Sequence, residues 1–146
     1  MIPFAGQVWR TIFAGADDAT RPVASTEGRF HHDGQTAIYT SLTAEGCRVA
    51  IKRYVGSNEP PRIIVPLDVR LTKVVDLRGR AELSTVWQDI RATGAPAPTW
   101  AYSDAARASD AQGLLYSSRS RPDLTHLVVF SGDPDAVGVA GPALPF

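Results

Sequence analysis

Period-two and period-3.6 hydrophobic patterns interleave along this chain without the regular strand–helix–strand beat of a doubly wound sheet. Residues 7–13, QVWRTIF, alternate: Val8, Arg10 and Ile12 share one face, and Trp9, Thr11 and Phe13 share the other. Residues 37–41, 62–67, 71–77, 113–117 and 126–130 read as further strands, with Pro66 placing one of them near an edge or a bulge. A helix fits residues 44–55, capped by Thr43, stopped by Gly56, with Cys47, Ala50, Ile51 and Tyr54 as its apolar stripe. A second fits residues 81–92, with Leu83, Val86, Trp87 and Ile90 on one face, and a third fits 99–111 with Thr99 as N-cap. Residues 14–36 read as one long loop, and the tail from Ser131 has no periodicity. The expected fold is a single α+β domain over residues 1–146, with mixed strands and about three flanking helices.

The 146 residues match one ordinary domain, and 44% hydrophobic content supplies one sizeable core. Fifteen basic residues balance fifteen acidic ones, so no charge excess draws the chain to nucleic acid or an anionic membrane. The single cysteine, Cys47, cannot form an intrachain disulfide. The opening MIPFAGQVWR lacks the layout of a secretory signal, and no apolar run reaches bilayer length. These features lead us to expect a cytoplasmic protein.

No phosphate loop, dinucleotide glycine fingerprint or nucleophile elbow is present. His31, His32 and Asp33 are adjacent, which suits a polar loop better than one metal ion, so no metal site is expected. Periodicity and composition alone stop at an α/β domain of open function.

Trp9-Arg10, Gly28-Arg29-Phe30, residues 37–41, Val74-Val75-Asp76-Leu77 and residues 113–119, in that order, resemble motifs of the RES domain family. Trp9-Arg10 looks like its aromatic-Arg strand, and Gly28-Arg29-Phe30, followed by Gly34, looks like its Gly-Arg-aromatic loop. Residues 37–41, AIYTS, look like the strand entering its first helix, and Val74-Val75-Asp76-Leu77 like its valine-valine-Asp-Leu strand end. Residues 113–119, GLLYSSR, followed by LVVF at 127–130, look like its Gly-Ile-x-Tyr-x-Ser segment and final strand. The resemblance is strongest over residues 8–131, with 132–146 left as an irregular tail. The family's glutamate falls at Ala50 by count from Tyr39, and Glu45 lies on a different helical face.

The resemblance implies an ADP-ribosyltransferase-like fold and a toxin of a bacterial toxin–antitoxin pair that acts on NAD⁺. It implies an Xre-like antitoxin as partner and no direct contact with nucleic acid or membrane. The implied chemistry breaks the nicotinamide–ribose bond through an oxocarbenium-like transition state. ADP-ribose then passes to a protein acceptor, the outcome slightly favoured, or to water or phosphate, which would deplete NAD⁺. A RES domain without activity, serving as a binding module, is the alternative of another class, and Ala50 is its main support.

The residues implied as catalytic are Arg10, Tyr39 and Ser118, and those implied in binding NAD⁺ are Arg10, Gly28, Arg29, His31 and Tyr39. Guanidinium forks match phosphate oxygens, so Arg10 and Arg29 suit the diphosphate, though a buried ion pair and a solvated loop arginine remain open for them. Gly28 would let the backbone approach a ligand. Tyr39 suits stacking on nicotinamide with a hydrogen bond from its hydroxyl, or a place in the core. Ser118 suits orienting the nicotinamide ribose or carboxamide, and His31 suits contact with NAD⁺ or acid–base work.

Overall fold

The computed structural model describes residues 1–52, 55–56 and 58–146. Seven strands run in the order β1 (Ile2–Phe13), β2 (Ile38–Ser41), β3 (Arg62–Asp76), β4 (Gly113–Ser117), β5 (Thr125–Val129), β6 (Val137–Val139) and β7 (Leu144–Pro145). Three helices, α1 (Ala44–Ala50), α2 (Trp87–Ala92) and α3 (Trp100–Ala108), complete an α+β domain.

The pairing closes on itself. β1 pairs β2, β2 pairs β5, β5 pairs β4, β4 pairs β3, and β3 returns to β1. Among the described residues only the β3–β4 contact is parallel; the long β1–β3 ladder joins Ile2 to Val74 and Phe13 to Arg62. Alternating side chains divide between two cores, as a two-faced sheet requires. Val8, Ile38, Leu67, Leu115, Leu127 and Val129 fill one. Phe30, Leu114, Tyr116, Val128 and Phe130 fill the other, with Leu83 and Ala106 laid over them.

Several elements differ from their sequence pattern. β1 begins at Ile2 rather than residue 7, because β3 is long enough to pair it throughout. Residues 62–67 and 71–77 form one strand, in which Asp68 and Arg70 simply take the exposed positions between Leu67, Val69 and Leu71. Pro66 therefore sits inside a strand paired on both sides. Its carbonyl accepts from Ala140 N–H, so its missing N–H faces residues 140–143, between β6 and β7, where no strand needs it. The tail from Ser131 holds two strands, too short to show a period.

Thr43 caps α1 as expected, accepting from Gly46 N–H at 3.0 Å. The helix ends at Ala50, beside the β-branched Val49 and Ile51, rather than at residue 55. Tyr54, the last residue of the expected stripe, lies outside the described residues. The helix expected over 81–92 is a short 3₁₀ turn, Ala81–Leu83, and then α2. Arg29 Nη1 donates to the carbonyls of Leu83 and Thr85 at 3.1 and 2.9 Å, taking acceptors that a continuous helix would need. Thr99 is not a side-chain cap; its hydroxyl donates to the Arg29 carbonyl instead. α3 stops at Ala108, and Asp110, in the left-handed region at φ 62°, turns the chain into β4.

The loop before β2 is bound to α3 by a charged stack. His32 lies flat on Trp100, with ring centroids 4.3 Å apart, and its two nitrogens reach Asp33 and Asp104 at 2.9 Å. Partial burial disfavours the imidazolium, but the hydrogen bonds to Asp104 and Asp33 outweigh it and raise the His32 pKa. Because the folded value lies above the unfolded one, this contribution is complete below pH ~6.5 and fades as pH rises through the folded pKa. Asp104→Asn is expected to move the His32 titration, followed by NMR, back toward the ordinary imidazole range.

Candidate functional site

A cavity of about 870 Å³ opens where the loop before β2 meets α1, α2 and the end of β4. Its size suits a small organic ligand. Arg10, Arg29, Tyr39 and Ser118 all line it, as do Gly28 and His31. The chain thus brings residues far apart in the sequence to one cavity.

Arg10 projects from β1 and is only 7% exposed. Nη1 donates to the carbonyls of Ala19 (2.7 Å) and Arg21. Burial lowers its pKa, and the charge of Asp18 pushes the other way. Among the described residues its hydrogen bonds therefore end on backbone oxygens, not on a carboxylate, and the same is true of Arg29. Carbonyl dipoles hold a guanidinium in place without cancelling its charge. Exposed Lys52 and Arg119 add further cations to the same cavity.

The Gly-Arg loop is built around His31, which is 1% exposed. Its Nε2 lies 2.9 Å from the Ser25 carbonyl, so that nitrogen carries the proton. Nδ1 is then an acceptor for the Tyr39 hydroxyl at 2.7 Å, and that hydroxyl in turn accepts from Phe30 N–H at 2.9 Å. Burial lowers the His31 pKa and raises that of Tyr39. Both nitrogens of His31 are occupied, so it fixes the loop and is not a free acid–base group. The Tyr39 hydroxyl is likewise committed to the loop, leaving its ring rather than its oxygen for a ligand.

Gly28 is required by this same cluster. A Cβ at residue 28 would lie 2.4 Å from His31 Cε1 and 2.7 Å from the Tyr39 oxygen. Its glycine character makes room for these two side chains rather than for a ligand. Gly28→Ala is expected to cost about 3 kcal/mol, because a buried ring must move. Urea denaturation checks this; wild-type stability would mean that His31 can shift freely.

Ser118 is 4% exposed and follows β4. Its Oγ accepts from Arg121 N–H at 3.3 Å, which leaves its O–H without an acceptor among the described residues. Ala50 also lines the cavity and presents only a methyl there. Glu45 does not line it; its carboxylate accepts from Arg121 Nη1 at 3.0 Å at the surface. Glu27 is the one carboxylate among the described lining residues, and Arg91 holds both of its oxygens at 3.0 and 3.1 Å.

Two lining residues escaped the sequence reading. His126, on β5, is 4% exposed, and its Nδ1 shares a hydrogen bond with Ser41 Oγ of β2. Burial, reinforced by the charge of Arg29, drives its pKa down to about 4. The only available signal was alternation: residues 126, 128 and 130 share a face, as do 39 and 41. Cys47 is buried behind this pair, and burial raises its thiol pKa.

Among the described residues, no group of three or more His, Cys, Asp or Glu side chains could hold a metal, and no helix is long and apolar enough to cross a membrane. No curated protein matches the chain in sequence. In three dimensions the chain is similar to one in the crystal structure of the M. tuberculosis MbcT–MbcA toxin–antitoxin complex. The two share 20% identity and a TM-score of 0.69, over 99% of this chain and 86% of that one. At that identity the likeness establishes a shared fold. In sequence, the model of the RES domain matches residues 7–146, and the chain therefore belongs to the RES domain family.

Proposed function

We propose that this chain is the toxin of a toxin–antitoxin pair and that its cavity binds NAD⁺ and breaks the nicotinamide–ribose bond. The observation that carries this reading is the pair Arg10 and Arg29. Their guanidinium groups are anchored by backbone carbonyls and line one cavity. Such a pair favours a dianionic ligand, and a diphosphate is the natural match. Ser118 offers an unused O–H to a ribose or carboxamide group, and the Tyr39 ring offers a flat apolar face.

Breaking the bond leaves positive charge on the ribose and releases neutral nicotinamide. The wall near Ala50 provides no carboxylate to stabilise that charge, which costs on the order of 10²–10³ in rate. A slow enzyme stops growth more readily by modifying a scarce protein than by consuming a bulk metabolite. We therefore favour ADP-ribose transfer to a protein over depletion of NAD⁺ by hydrolysis or phosphorolysis. An antitoxin is the proposed partner, supported by the toxin–antitoxin complex in which the structural relative was solved, and its Xre-like type rests on the family resemblance alone.

Incubating purified protein with labelled NAD⁺ and cell lysate tests this reading. Nicotinamide should be released and label should appear on a protein. Rapid release of free ADP-ribose, with no labelled protein, would replace transfer by depletion. No nicotinamide at all, with NAD⁺ still bound, would favour an inactive binding module.

A further inference from the structure

The cavity has a buried polar corner that the arginines do not explain. His126 and Ser41 meet there, joined through Nδ1 and Oγ. The Tyr116 ring packs 5.2 Å from the imidazole, and Arg29 is near enough to repel a proton from it. Nε2 of His126 has no hydrogen-bond partner among the described residues. His126 itself lines the cavity. A nitrogen that is unpaired, reached from the cavity and set in an otherwise buried side chain is directed at a ligand.

What ligand group would it meet? Glu27, the one carboxylate among the described lining residues, is paired with Arg91. A hydroxyl next to the reacting carbon must therefore find a neutral partner. Imidazole suits it in either tautomer, because a hydroxyl both donates and accepts. His126 stays uncharged near neutral pH, so it adds no positive charge beside a developing cation. The corner is made of enclosed side chains: His126, Ser41 and Ser118 are 4%, 1% and 4% exposed, whereas Lys52 and Arg119, which also line the cavity, are exposed. The bond that breaks needs the drier end.

Resting on the NAD⁺ reading above, we propose that His126 Nε2 hydrogen-bonds a hydroxyl of the nicotinamide ribose and that Ser41 sets the tautomer and tilt of its ring. His126 is then a catalytic residue, because it touches the substrate, and Ser41 is a positioning residue.

The test compares NAD⁺ with analogues lacking the 2′ or the 3′ hydroxyl of that ribose, in wild type, His126→Ala and Ser41→Ala. For the wild type, removing the contacted hydroxyl should lower kcat/KM about 10- to 100-fold. His126→Ala should lose that discrimination: NAD⁺ turnover falls to the analogue's level while the analogue's rate barely changes. Ser41→Ala should lose part of it. An equal loss on NAD⁺ and both analogues, or no loss, overturns the role of His126 while leaving the NAD⁺ reading intact. A wild type that neither binds nor cleaves NAD⁺ overturns both. Should His126→Ala not fold, the ¹⁵N shift of His126 Nε2 in the wild type decides: it should move on adding ADP-ribose, and no movement sinks the proposal.

Discussion

Arg10→Ala is expected to lower NAD⁺ cleavage by about 10²–10³-fold and to abolish growth arrest on expression. Two effects combine. The cavity loses a charge that carbonyls hold without neutralising, so the diphosphate loses one of its two grips. The carbonyls of Ala19 and Arg21 also lose a charged donor. Hydrogen bonds to charged groups contribute ~1.5–3 kcal/mol each, so the loop before β2 should loosen as well. Arg10→Lys separates these effects: it keeps the charge but replaces a fork by a point donor, and should fall between the two. Calorimetric titration with NAD⁺ and a urea melt measure both. Arg10→Ala binding NAD⁺ with wild-type affinity would remove the basis of the proposed function.

The second large effect is acid instability. In the unfolded chain His126 titrates near pH 6.5, whereas burial holds it at about 4 in the fold. Between these values the unfolded chain takes up a proton that the folded protein refuses. Stability should therefore fall as pH drops from 6.5 to 4, by about 3 kcal/mol from this residue, and level off below. The buried His31, whose pKa is also lowered, adds in the same direction, while His32 opposes it. Against the ~5–15 kcal/mol of an ordinary domain this is a large share. Urea midpoints from pH 7 to 4 measure the slope, and His126→Gln should flatten it. An unchanged slope would mean that His126 is not buried as a neutral group.

Much of the framework could be read from sequence because its signals are local. The alternation of Val8, Arg10 and Ile12 correctly marks β1, and Thr43 correctly marks the start of α1. What was illegible depends on partners far along the chain. The apolar spacing of Leu83, Val86, Trp87 and Ile90 reads as one helix, yet Arg29 withdraws two of its carbonyls. Gly28 reads as room for a ligand, whereas the room is filled by His31 and Tyr39. The shared cavity of Arg10 and Arg29 rested on resemblance alone, since spacing says nothing about convergence across eighteen intervening positions of loop and strand. His126 left almost no trace, because a histidine on an alternating strand looks like any polar position until its neighbours are known.

The closed ring of strands bears on how the protein comes into being during synthesis. β1 is made first, but its ladder partner runs to Asp76, and the ring is completed only by β5, which ends at Val129. Until Asp76 has been made, the twelve-residue β1 lacks its long ladder partner and emerges from the ribosome with a flank unpaired, a state prone to sticking to other chains. The wall that holds Arg10 cannot face Ser118 and His126 before nearly the whole chain has been translated. A nascent polypeptide without β5 therefore lacks a complete cavity, and any chemistry of that cavity waits until this strand has been made.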